Sequence, residues 1–311
     1  MHRKILLWIV AFLAACEQPY PIEVDVATGK ITVEGYIENG LPPLVMVSRS
    51  VNYYDTLSSH KLANLFVGNA RVIIRDDRGG EWLLDAVTKS QLTPQLFPVL
   101  LAYLNGDWLP LMLSSDSLVF YTVRNGRFRG EIGRSYRLEV TVGSDTFRAN
   151  TRILPLPQID SMIHRFDTIS ATNEVLATMF AHLYDPLGPN YYRQWVRIGN
   201  APFYPTAGAS VFDDASYDGR EVWFPFNPGH SVYDDDSFDI RRFFFQPGDT
   251  VTLKVASIDR PAYIFYRNLE FHMRNRNSFN ATPIYIPTNV EKGRGLFVGL
   301  GAVYFTYVIP Q

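Results

Sequence analysis

From residue 30 onward the chain repeatedly sets an apolar side chain at every second position, the period of a strand with one face buried. In residues 135–142, Tyr136, Leu138, Val140 and Val142 fall on one face between polar neighbours. Gly143-Ser144-Asp145 then turns the chain, and Phe147, Ala149, Thr151 and Ile153 resume the alternation, which predicts a hairpin. Ile31, Val33, Gly35 and Ile37 alternate with Thr32, Glu34 and Tyr36, and residues 44–47 and 72–74 add short strands, the latter before the turn Asp76-Asp77-Arg78-Gly79-Gly80. Short strands, frequent turns and little helical periodicity predict an all-β fold built of β-sandwiches.

Leu154-Pro155-Leu156-Pro157 interrupts this pattern, because two prolines so close together disrupt ladder pairing and favour an extended connector. The expected organisation is an N-terminal β-sandwich domain over residues 30–154 and a C-terminal β-rich domain over 158–311. In the second, Gln246-Pro247-Gly248-Asp249 opens a strand over 251–257. One helix is predicted near 260–275: Asp259 caps it, Pro261 suits its first turn, and Ala262, Tyr266, Leu269 and Met273 recur at helical spacing. Such a stripe is expected to pack across the second sheet.

Residues 1–15 have a different pattern. Arg3 and Lys4 precede an apolar run over 5–13, small residues follow, and the only cysteine of the chain, Cys16, comes next. This order is that of a lipoprotein signal peptide, and the apolar run is shorter than the roughly 20 residues of a membrane span. Cys16 is the expected lipidation site: diacylglycerol on its sulfur, cleavage before it and acylation of the new amino terminus, leaving 16–29 as a tether. Two or three acyl chains anchor stably where one does not.

With 29 Lys and Arg against 31 Asp and Glu, and Arg3 and Lys4 lost with the leader, the mature chain is acidic and offers no basic tract for nucleic acid. A lone lipidated cysteine leaves none for disulfides, zinc thiolate sites or a thiol nucleophile. There is no HExxH, GxSxG or GxxxxGK[ST] motif, so no catalytic residue is assigned and the chain is read as non-enzymatic. His230 is the best lone histidine for proton transfer, although a loop histidine is the simpler account.

Three features suggest binding chemistry. Asp214, Ser216 and Asp218 stand at positions 1, 3 and 5 of a calcium-type loop, with Gly219 at the sharp turn, and Asp234-Asp235-Asp236 can add oxygens. Pro225 stands where such a loop needs its glutamate, and solvated turn aspartates explain the same pattern. Residues 92–113 are unusually apolar: Leu96, Leu100, Leu101 and Tyr103 serve either as core under the first sheet or as an exposed surface for a partner. Trp82, Trp108, Trp195 and Trp223, with Tyr191-Tyr192 and residues 223–226, serve as core or as stacking platforms for a polysaccharide.

Several ordered blocks resemble a known family: residues 31–37, 67–72, 185–192, 211–214 with Asp218-Gly219, 246–249, the helix with Tyr263 and Tyr266, and 289–297. They are similar to the Bacteroidota outer-membrane lipoproteins that carry domain of unknown function 4249, and the length of 92–113 departs from that pattern. The resemblance implies an all-β protein, lipid-anchored at the outer membrane on its surface or periplasmic face. It further implies an accessory role beside a TonB-dependent receptor in capturing a nutrient.

Overall fold

The computed structural model describes residues 29–50, 65–104, 106, 118–124, 126–169, 173–230, 239–275 and 285–311. Cys16, Trp108 and Asp234 to Asp236 lie outside the described residues. The fold is all-β, with two α-helices among the described residues.

Among the described residues, sixteen strands form three sheets. In chain order they are β1 (Ile31–Glu38), β2 (Leu44–Arg49), β3 (Arg71–Asp76), β4 (Glu81–Leu83), β5 (Asp85–Thr88), β6 (Val119–Thr122), β7 (Ser135–Val142) and β8 (Asp145–Arg152) in the first half. The second half supplies β9 (Gln158–Ile169), β10 (Glu174–Tyr184), β11 (Tyr191–Ile198), β12 (Tyr204–Pro205), β13 (Val211–Asp213), β14 (Glu221–Phe226), β15 (Thr250–Ser257) and β16 (Arg294–Val308). The helices are α1 (Phe97–Tyr103) and α2 (Arg260–Asn275).

The largest sheet has nine strands in the order β12-β11-β15-β16-β1-β2-β6-β5, with β13 also on β11. Its centre joins the two ends of the chain: β1 pairs in parallel with β16, Gly35 opposite Phe297, while β15 flanks β16 on the other side. The connector at 154–157 therefore separates two smaller sheets, β4-β3-β7-β8 and β14-β10-β9, while the large sheet runs through both halves.

Both small sheets pack on one face of the large one. Under the four-stranded sheet lie Val33, Ile37, Val45, Val72, Leu138, Val140 and Phe297, and under the three-stranded sheet lie Ala177, Met179, Leu183, Tyr192, Val255 and Phe226. Strand β16 serves both layers, with Phe297 in the first and Phe305 against the second. Gly299 and Gly301 make this crossing possible, because a Cβ at either would collide with the backbone at Arg152 or Leu154. Thr151 closes the junction by accepting the Gly299 N–H at 2.7 Å.

The opposite face of the large sheet is covered by the helices. Asp259 caps α2 by accepting the Ala262 N–H at 2.9 Å, and Ala262, Tyr263 and Tyr266 are buried. Helix α1, with Pro98 in its first turn, buries Val99, Leu100 and Tyr103 beside Leu44, Phe120, Trp195 and Leu296. The Tyr103 hydroxyl donates to the Pro42 carbonyl at 2.8 Å and accepts the Glu38 N–H at 3.1 Å.

The predicted hairpin is present in register, Leu138 opposite Ala149 and Val140 opposite Phe147. Strand β15 differs from the alternation read in its sequence. Val251 through Ala256 are all buried, because helices cover one face and the three-stranded sheet the other.

Candidate functional site

Leu96, Leu100 and Tyr103 lie in the core, Leu100 at 1% exposure, and Leu101 is half-buried. For Leu96, Leu100 and Tyr103, burial fits packing. Phe97, on the outer side of α1, is exposed.

The aspartates meet in space with a member that the loop pattern did not contain. Asp185, Asp214 and Asp218 each offer a carboxylate oxygen, all within 4.8 Å of one another; Ser216 is exposed. Each oxygen set already has donors. Asp185 accepts from the Tyr192 hydroxyl at 2.6 Å and from Gly219 N–H at 3.1 Å, Asp214 from Asn190 N–H at 2.8 Å, and Asp218 from Gly188 N–H at 2.8 Å. The three acids staple the turn after β10 to the turn after β13. Burial, with Asp214 close by, raises the Asp185 pKa, and burial likewise pushes Tyr192 and Tyr217 well above the ordinary tyrosine range.

Of the described tryptophans, Trp195 is buried, Trp82 stacks on Phe128 at 3.8 Å between centroids, and Trp223 alone is exposed, at 43%. Tyr192 is buried and the Tyr191 ring packs, tilted, against Tyr263 on α2. His230 is engaged by the Arg242 carbonyl.

Trp223 belongs to the outer face of the three-stranded sheet. Along β10, Ala177, Met179, Ala181 and Leu183 point into the core, so the pleat turns Phe180, His182 and Tyr184 outward. His182 lies opposite Trp223 in the β10–β14 ladder, and their rings stack at 4.6 Å with 22° between planes. Tyr184 meets the His182 ring edge-on at 4.7 Å and is itself 36% exposed.

A register shift in the β9–β10 ladder adds charge to these rings. His182 pairs with Ser161 and Leu183 with Ile159, leaving Asp160 as the extra residue of a bulge, and bulges re-aim side chains. Asp160 Oδ1 lies 3.0 Å from His182 Nδ1, and Glu221 Oε2 lies 3.7 Å from His182 Nε2. The Ser161 hydroxyl, then His182 and Tyr184, hold the Asp160 carboxyl below the usual aspartate range. The imidazole thus stands between two exposed carboxylates, on a shelf of exposed aromatic rings. The sequence signalled Trp223; His182, Tyr184 and Asp160 were concealed by a strand apolar on both faces and by a bulge.

The model of the domain of unknown function DUF4249 matches residues 17–303. The chain belongs to the DUF4249 family. No curated protein matches this DUF4249 chain. Among its described residues, no helix is long and apolar enough to cross a membrane.

Proposed function

We propose that this chain is a lipid-anchored recognition protein of the bacterial outer membrane, held by acylated Cys16, that presents the outer face of the three-stranded sheet to a ligand and serves as an accessory to a TonB-dependent receptor in nutrient capture. The observation that carries the recognition part is the exposed His182–Trp223 stack between Asp160 and Glu221. Large aromatic side chains normally gain by burial, and here they are held in order on a solvent face by ladder pairing and by hydrogen bonds. Among the described residues, Trp82 stacks on Phe128, the Tyr192 hydroxyl donates to Asp185, and Asp214 and Asp218 accept backbone N–H groups, so these side chains already have structural partners.

The anchor is supported by the ordered signal ahead of Cys16, and the setting by the family resemblance. Two measurements test the proposal. Radiolabelled palmitate should label the wild type and not Cys16→Ala. The full chain, extracted gently from membranes of its native host, should carry a TonB-dependent barrel with it. Absence of label refutes the anchor, and recovery without a barrel refutes the accessory role.

A further inference from the structure

From the outer face of the three-stranded sheet we infer a saccharide-binding site, in which Trp223 and Tyr184 offer ring faces to a neutral sugar chain and Asp160 and Glu221 accept its hydroxyl hydrogens. This rests on the recognition role proposed above and names the ligand class for it.

A pyranose presents a flat face and a rim. Its flat face carries weakly positive C–H groups, which are attracted to the electron-rich face of an aromatic ring, and its rim carries hydroxyls that need acceptors. The sheet supplies both within one patch. Trp223 is 43% exposed with its other side backed by His182, so its orientation is fixed before a ligand arrives, which lowers the ordering cost of binding. The Asp160 and Glu221 side chains are 49% and 65% exposed and flank the same imidazole, so their remaining lone pairs face solvent beside the rings.

Charge narrows the class further. Two carboxylates beside the stacking ring repel polyanions, and Arg165, 5.9 Å from the Phe180 ring, is itself paired with Asp167 at 3.1 Å, so nucleic acid, uronate-rich and sulfated polymers are disfavoured and a neutral polymer is favoured. A protein partner fits less well, since the centre of a protein interface is depleted in charge, whereas here the charges bracket the central ring. The patch extends along the sheet through Phe180, Pro225 and exposed Ile163, neighbours in the ladders, which gives a chain of sugars room to lie across the strands.

The test is affinity electrophoresis of the full chain in detergent, in native gels containing xyloglucan, galactomannan, mixed-linkage β-glucan or soluble starch, with polygalacturonate as the anionic comparison. At least one neutral polymer should retard the wild type and polygalacturonate should not. Trp223→Ala should weaken that association about fivefold or more, the scale of one lost aromatic contact. Asp160→Asn, which keeps an acceptor but removes charge, should weaken neutral binding less than Trp223→Ala does. Retention of the wild-type melting temperature shows that each variant is folded, and if Trp223→Ala melts early, Tyr184→Ala replaces it.

Retardation by none of the neutral polymers, or equal retardation of wild type and both aromatic variants, overturns the inference. Co-purification with the barrel separates this failure from that of the recognition role. No sugar binding, with barrel capture lost in Trp223→Ala, means that the face recognises a protein. No sugar binding, with barrel capture unchanged by Trp223→Ala, removes both the saccharide site and this face as the recognition surface.

Discussion

Lys254 Nζ lies 2.6 Å from Glu38 Oε2, across 216 positions of sequence, with both side chains 1% exposed. The pair ties β15 of the second half to β1 of the first on the helix-covered face of the shared sheet. Lys254 also donates to the Ala102 carbonyl of α1 at 2.8 Å, and the Tyr304 hydroxyl donates to the other Glu38 oxygen. The rings of Trp195 and Tyr304 stand 4.9 and 5.3 Å from the ammonium. Burial lowers the Lys254 pKa, and the Glu38 carboxylate opposes that shift.

Removing one partner of such a pair leaves an uncompensated buried charge, which costs about 3–5 kcal/mol. Lys254→Met should therefore lower unfolding free energy by that order. Adding Glu38→Gln should restore part of the loss, because the double variant buries no charge. Urea denaturation of wild type, both single variants and the double variant gives the coupling directly, and strict additivity would contradict the pairing.

Ionised tyrosine is the source of an alkaline limit. Burial raises the pKa of Tyr36, Tyr103, Tyr266 and Tyr304 above the ordinary value of 10.0, and the Glu38 carboxylate adds to the shift for Tyr103 and Tyr304. A raised tyrosine keeps its proton in the folded state after the unfolded chain has lost it. Its contribution is fully present below pH 10 and is lost as pH rises beyond that value. The melting temperature should fall steeply above about pH 10, with phenolate absorbance appearing together with unfolding. Phenolate formation by all of these residues near pH 10 in a still-folded protein would contradict their burial.

Asp185 gives the opposite end of the scale a smaller signature. Its folded pKa is raised, first by burial and then by Asp214, so its ionisation opposes folding. Stability from this group should fall as pH rises from the ordinary aspartate value of 3.8 through the raised one. Asp185→Asn retains an oxygen for the Tyr192 hydroxyl and should flatten that part of the stability curve. Asp214→Ala should instead cost about 1–3 kcal/mol, since Asn190 loses its acceptor.

How far the sequence reaches is clear from particular elements. The β7–β8 hairpin and α2 were legible because each has one buried face, which prints its period on the chain. The parallel pairing of β1 with β16 was not, because register between strands more than 250 positions apart leaves no local mark. It makes two halves share one sheet. In the candidate sites, Asp214 and Asp218 were visible as a loop pattern, and Asp185 was hidden because another turn supplies it. Trp223 was visible as a residue type. Its partner His182 was not, since outward aromatics on β10 erase the polar half of the alternation.

Photo-cross-linking in living cells shows whether the outer face of β14-β10-β9 meets a ligand. A photoreactive phenylalanine analogue replaces Ile163 on that face in one strain and Leu83, exposed on the four-stranded sheet, in another. A ligand on that face gives a shifted, cross-linked species from position 163 and none from position 83. No cross-link from 163, or equal cross-linking from both, would contradict that contact.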